Sequence, residues 1–531
     1  MRKKINLITN TFSIATLLFL GSCRSADTEN TLTGGGSSAV SINLLGTEYA
    51  ASDLSAQASI GSKEVSNNNI ESHSVMVSPS TVMTAILSPS DNISKPLAQA
   101  SLGMNPVAAV SGTPLISGMK FRVIAYRSNG NYHTHQDYTV GQAATPMMVD
   151  NGASYNFIVY SFGTASLPAI SVGEQNNISS ATVNYDDANR DFMYQKIAFT
   201  PTNNSNTLNI TLRHKISRIT TILNSTNLEN ITAVSGGVLT PHYSNGVYSL
   251  NSGTMSGRTT LSTGMGLNFP SLGSSSVTAT PAFLNSDTGG IASGNFSANV
   301  TIGGVTKAIS LPNSFKITPE NDSKLTINLT KCGGYLGAGG TLWKDFMCQN
   351  LGGTAGLDPL SLQAGNHGAK YQWGSNGAPG WYISQTNDQS NSGAISGWNN
   401  TTALTTVWDD TNKTTFDPCP SGFKVPSRAQ LLALINNNTL ELVGTWIADG
   451  NYTTAIYIRS PLNNARTLMF PAAGYRRADT GALEHRGDYG LYWTSTSIAL
   501  GSSYDFTFST ASQVLSTADN HLGGSIKCIA Q

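Results

Sequence analysis

The chain has 531 residues, too many for a single hydrophobic core and enough for about three domains of ordinary size. Its 30 basic and 30 acidic side chains cancel, and charged residues make up 11% of the total against roughly 25% in average soluble domains. No basic stripe is present to neutralise phosphates, so nucleic acid is not expected as a partner.

At the N-terminus Arg2, Lys3 and Lys4 precede a short apolar stretch, residues 11–20, which ends in Leu20-Gly21-Ser22-Cys23. This is the pattern of an export signal, too short to remain as a membrane span. The last four residues resemble the bacterial lipobox, which implies removal of residues 1–22 and lipidation of Cys23; an ordinary signal peptide with a chance cysteine is the alternative. Arg24, in place of an aspartate, is compatible with an outer-membrane destination. No later run of 18 apolar residues indicates a second membrane segment.

Residues 23–70 are rich in Ser, Ala, Gly and Asn and are expected to form a tether, with residues 40–45 as a candidate first strand. From residue 72 onward apolar residues alternate, first at Val75 and Val77, then at Phe121, Val123 and Ala125, which predicts half-buried strands. Asn129-Gly130 and Asn151-Gly152 supply tight-turn chemistry. A first β domain is expected over 71–190 and a second over 191–331, closed by a strand with Leu325, Ile327 and Leu329 on one face. Cys332-Gly333-Gly334 follows at once and predicts a short hinge into a third domain, 332–531.

In that third domain Cys419 stands between Pro418 and Pro420, a rigid corner because each proline fixes its own φ and restricts its predecessor. Ser427 is the expected N-cap of a helix presenting Leu431, Leu432, Leu434 and Ile435. Beyond Cys23 there are four cysteines, Cys332, Cys348, Cys419 and Cys528. In an exported chain they predict two disulfides with three connectivities open. Zinc is the competing reading, and the spacings lack a close Cys-x-x-Cys pair.

The series Tyr371-Gln372-Trp373-Gly374, Asp417-Pro418-Cys419-Pro420-Ser421-Gly422-Phe423-Lys424-Val425-Pro426, Phe470-Pro471-Ala472-Ala473-Gly474-Tyr475-Arg476, Tyr492-Trp493-Thr494-Ser495-Thr496 and Ser525-Ile526-Lys527-Cys528-Ile529 resembles the Fibrobacter succinogenes major paralogous domain. The resemblance implies an α+β C-type-lectin-like fold over 332–531. It also implies a Cys419–Cys528 bridge, which leaves Cys332 for Cys348.

Upstream, Phe121-Arg122-Val123-Ile124-Ala125-Tyr126, Gly130-Asn131-Tyr132, the run from Gly152 to Ser161, Asp191-Phe192-Met193-Tyr194 and His214-Lys215-Ile216-Ser217-Arg218-Ile219 resemble the fimbrillin family of Bacteroidetes pilins. A mainly β chain is therefore expected, with two fimbrillin-like β-sandwich domains ahead of the lectin-like one. In such pili the resemblance implies strand exchange between neighbouring subunits after an N-terminal cleavage. No arginine lies between Arg24 and Arg122, so arginine-directed maturation has no site; Lys63 and Lys95 are the basic alternatives.

Catalytic constellations are scarce, and the chain is expected not to be an enzyme. Relatives of the lectin-like fold that generate formylglycine use free cysteines, whereas these four are expected in bridges. His133 and His135 are two apart on a predicted strand with no third metal ligand in view. The glycine-rich runs at 333–340 and 374–380 lack the Lys-Ser/Thr of a phosphate loop.

Binding has better material. Trp381, Tyr382 and Trp398 lie among Asn, Gln, Ser and Thr, where rings stack on sugars and amides bond hydroxyls. Trp373 and Trp493, inside the family motifs, are expected in the core. Asp409, Asp410, Asn412 and Asp417 offer oxygen ligands for calcium, with a solvated acidic turn as the alternative and no cofactor expected otherwise. Arg486-Gly487-Asp488 matches the integrin tripeptide.

The expectation is a lipid-anchored protein of the outer membrane, at the cell surface or in a fimbrium. It would act as a tip or accessory adhesin, with other fimbrial subunits and a glycan or host surface protein as partners. The alternative is a monomeric glycan-capturing lipoprotein outside any pilus.

Overall fold

The computed structural model describes residues 36–50, 71–90, 116–202, 205–225 and 228–531. Residues 1–22, Cys23, Lys63 and Lys95 lie outside the described residues. The chain is mainly β, and the described residues include two α-helices, α1 (Gln385–Ser390) and α2 (Arg428–Asn437). The first strands are β1 (Ser37–Glu48), β2 (Glu71–Ser78), β3 (Thr81–Pro89), β4 (Lys120–Arg127), β5 (Tyr132–Thr139), β6 (Met147–Asp150) and β7 (Tyr155–Ser161).

The first body is a seven-stranded sheet in the order β5, β4, β7, Met193–Phe199, Asn206–His214, β1, β6. Its central strand β4 is covered on both faces. Phe121, Val123 and Ala125 pack with Val40, Leu208 and Ile210, while Ile124 and Tyr126 pack opposite with Ile158, Phe192 and Tyr248. The expected half-buried alternation is thus a doubly buried strand, consistent with its nearly continuous apolar run. The exception is Arg122, 2% exposed, which donates to Asp137 at 2.7 and 2.9 Å, to Glu174 at 3.1 Å and to the Tyr160 hydroxyl at 2.9 Å. A buried guanidinium persists where carboxylates and hydroxyls satisfy its fork.

β1 enters this sheet parallel to Asn206–His214, with Val40 opposite Asn206 and Leu44 opposite Ile210. On its other edge β6 pairs only with residues Ser37, Ser38, Ala39 and Val40. The end of β1 is fastened where the first two bodies meet. Tyr49 stacks on His214 at 4.0 Å, Arg213 bonds Glu48 at 2.8 Å, and Arg218 bonds Asp322 at 2.6 Å.

The second body is a sandwich. One sheet runs Ser276–Thr278, Ser217–Asn224, Asp322–Lys331, β3, β2; the other runs Met265–Gly266, Ile231–Thr240, Gly294–Ile302, Val305–Phe315. Leu325, Ile327 and Leu329 point into the shared core as the alternation predicts. Two expected boundaries are corrected. The hairpin β2–β3 belongs here, not with the first body, because β3 pairs with Asp322–Lys331 along its whole length. Sheet membership changes between His214 and Ser217 rather than near 190, since Met193–Phe199 still pairs with β7.

The third body has a three-stranded sheet of Thr439–Val443, Ala455–Arg459 and Arg466–Pro471. A five-stranded sheet follows in the order Leu483–Arg486, Ala473–Arg476, Gly490–Ala499, Ser502–Phe508, Gln513–Asp519. Helix α2 buries Leu431 and Leu434 against Phe470, Tyr492 and Phe506. It starts at the expected cap. The Ser427 hydroxyl accepts from the Gln430 amide at 3.2 Å, and the Gln430 side chain accepts from the Ser427 amide at 2.9 Å. Two disulfides, Cys332–Cys348 and Cys419–Cys528, bind this body together.

The short hinge expected at 332–334 is held by the Cys332–Cys348 disulfide and by backbone bonds as well. The turn between β2 and β3 accepts hydrogen bonds from Cys332 N at Ser80 O and from Cys348 N at Pro79 O, both 2.8 Å. Val82 enters the same core as Cys332, Phe346 and Cys348. One hairpin is therefore shared by the second sandwich and the third body.

Candidate functional site

Most of the aromatic residues between 373 and 408 are structural. Trp373 and Trp493 are fully buried as expected, and so is Trp408. Trp398 corrects the expectation of a ligand surface. It is 9% exposed, donates from Nε1 to His521 O at 3.1 Å, and has Gly481 and Gly523 against its ring. A side chain at either glycine would meet the indole, so the chain closes over it. Trp381 and Tyr382 are half-buried, with Tyr382 stacked on Tyr371 at 5.5 Å. These two alone of the three keep surface for a ligand.

The acidic loop is tied inward. Asp409 accepts from the amides of Asn412 at 2.6 Å and Thr411 at 2.8 Å, which hold its carboxyl below the usual range. Asp410 takes the hydroxyls of Ser495 and Thr496 at 2.6 and 2.8 Å. Asp417 accepts from Cys419 N and Val425 N and pairs with Lys413 at 2.9 Å, shaping the corner that leads to the disulfide. The three carboxylates face separate partners, and among the described residues no group of three or more His, Cys, Asp or Glu side chains forms a metal site. The two strand histidines also diverge, His133 facing Arg127 at 3.2 Å and His135 the Tyr132 hydroxyl at 2.7 Å.

The integrin-type reading of Arg486-Gly487-Asp488 is corrected by burial. Arg486 is 6% exposed and turns inward to Asp388 Oδ2 at 2.6 Å and the Tyr452 hydroxyl at 3.0 Å. Gly487 is buried and Asp488 contacts His485 at 3.2 Å. The arginine of the tripeptide is a core residue.

An open groove that sequence reasoning missed lies between the second and third bodies. It measures about 550 Å³ and is lined by Glu229, Lys331, Tyr335, Trp343, Leu462 and Asn463 among others. Tyr335 and Trp343 meet edge to face at 5.1 Å, and Asp345 fixes the groove wall by accepting from Trp343 Nε1 at 2.7 Å and pairing with Lys331 at 2.9 Å. Two rings, exposed aliphatic surface, a carboxylate and an amide in a volume of this size suit a small amphipathic ligand such as a sugar. The lining comes from four distant stretches of chain, so no local motif could have announced it.

No family model and no curated protein matches the chain. Several solved structures are partly similar. A candidate cell adhesion protein from Bacteroides fragilis shares 12% identity over 55% of this chain and 93% of its own, with a TM-score of 0.29. A candidate adhesin from Bacteroides thetaiotaomicron shares 14% identity over 36% of this chain and 72% of its own, with a TM-score of 0.26. A candidate polysaccharide-binding protein from the same species shares 10% identity over 36% and 72%, with a TM-score of 0.23.

Proposed function

We propose that this chain is a cell-surface lipoprotein that acts as a fimbrial tip or accessory adhesin, anchored through Cys23 in the outer membrane. Its first two bodies, of fimbrillin kind, assemble by strand exchange with other fimbrial subunits. The lectin-like third body presents the binding face, to a glycan or a host surface protein.

The observation that carries the proposal is the placement of β1. Among the described residues it is the first strand, laid parallel to Asn206–His214, and no strand among them pairs with its outer edge beyond Val40. A strand held along most of its length by one ladder, with β6 on its other edge only at residues 37–40, is a segment that exchange can replace, and an unpaired edge is one that a neighbour can extend. The chain acts by binding, without turnover. The four cysteines of the third body are all bridged, which leaves no thiol there for formylglycine-type chemistry.

A second reading, a monomeric lipoprotein that captures glycans outside any pilus, is favoured by the groove around Tyr335 and Trp343. Immunogold electron microscopy of intact cells with an antibody against residues 332–531 separates the two. Gold at fibre ends supports the tip adhesin; label spread over the outer membrane without fibres removes the pilus assignment and leaves glycan capture.

A further inference from the structure

Inside the third body a single carboxylate faces three cations. Asp388, on α1, is fully buried and receives Arg476 Nε on Oδ1 at 2.8 Å and Arg486 Nη2 on Oδ2 at 2.6 Å, with Lys370 Nζ 3.7 Å from Oδ2. Lys370 and Arg476 are 0% exposed and Arg486 is 6% exposed, so three positive charges share one negative charge out of contact with water. Arg476 is satisfied: it also donates to the carbonyls of Asp388, Asn391, Gly393 and Gly481 at 2.9, 2.6, 3.4 and 3.1 Å. Arg486 donates further to Asp388 O at 2.9 Å and to the Tyr452 hydroxyl at 3.0 Å, but each of the other two cations keeps one nitrogen unbonded. Lys370 Nζ and Arg486 Nε have no hydrogen-bond partner, and neither has Nδ1 of His367, which is 1% exposed.

Buried cations that outnumber the carboxylate they share are costly, and a fold relieves the excess by neutralising a group or by taking up a counterion. A water molecule satisfies donors and leaves the charge excess in place; a monovalent anion does both.

We infer that the third body binds a small monovalent anion of the halide class between Lys370 and Arg486, beside Asp388. Such an ion supports more than the core. Arg476 and Arg486 both hold Asp388, and Arg476 also fixes the carbonyls at 391, 393 and 481, so the ion supports the chain at these positions through Asp388. Arg477 and Asp479, on the neighbouring surface, pair with each other at 2.9 Å and leave the site to the buried groups.

The test uses crystals of the full chain soaked in bromide, together with thermal unfolding in chloride and in gluconate at equal ionic strength. The expected result is one anomalous peak within hydrogen-bond distance of Lys370 Nζ. The unfolding midpoint is expected to be about 2–4 °C higher in chloride. Lys370→Met should abolish the chloride-specific part. Density for water alone at this position, or equal midpoints in the two salts, overturns the inference. The bromide measurement is made on the unaltered protein and stands even where the variant does not fold.

Discussion

Replacing Asp388 by asparagine keeps the shape of the side chain and removes the carboxylate that Lys370, Arg476 and Arg486 share. Burial pushes this carboxyl upward, but the three cations outweigh it and hold it below the usual range; Lys370, in turn, is lowered by burial to about 8. Breaking a buried pair from one side costs about 3–5 kcal/mol, so Asp388→Asn is expected to lower the urea midpoint of the third body strongly. An unchanged midpoint would mean that the cations find solvent. Asp505 gives the opposite case. It is 1% exposed, its Oδ1 has no partner, and burial raises its carboxyl to about 7. Because the folded state holds this proton more tightly than the unfolded chain does, the stabilisation is complete below about pH 4 and is lost as pH rises to about 7. Asp505→Asn should remove this dependence. The stability of the native chain relative to the variant should then fall by up to about 1.4 kcal/mol per pH unit across that window, and a flat difference would refute the assignment. Residues of this kind are the hardest to read from sequence. Arg486 looked like a surface motif and Trp398 like a ligand platform, because exposure is set by distant partners, Asp388 for the first and His521 for the second.

At the scale of elements, what was legible was what is local. The N-cap of α2, its apolar face and the proline-framed corner at Cys419 are short-range chemistry, and the structure forms each of them. Ser427→Ala removes the hydroxyl half of the capping box and is expected to cost about 1 kcal/mol, measured as a fall in the unfolding midpoint. Asparagine at the same position should recover most of it. By contrast, the hairpin β2–β3, expected with the first body, belongs to the second. Its alternation announces a strand pair but not a partner, and the partner, Asp322–Lys331, lies beyond the entire first body in the chain. The same hairpin turn closes the joint expected at residue 332, through backbone bonds that leave no mark in composition.

At the scale of the whole molecule the question is whether β1 is exchangeable. Its inward residues Val40, Ile42 and Leu44 pack on the core that Leu208, Ile210 and Leu212 also build, so removing β1 leaves an apolar groove and an open backbone ladder along Asn206–His214. A groove of that form is completed by any strand with matching alternation, since main-chain bonds supply affinity and side-chain pockets supply register. A chain lacking residues 1–50 is therefore expected to bind a synthetic peptide of residues 36–50 with one-to-one stoichiometry, read by fluorescence anisotropy, and to ignore a scrambled peptide. Addition of the matching peptide during refolding should raise the soluble yield if the shortened chain is unstable alone, since the ligand binds the folded form and not the unfolded one. If the shortened chain folds and still ignores the peptide, β1 is an integral strand, and recognition rests on the third body and its groove without assembly. If it captures the peptide, the same edge can take the corresponding strand of a neighbouring subunit, and the shared hairpin β2–β3 then holds the third body on the sandwich that follows the site of exchange.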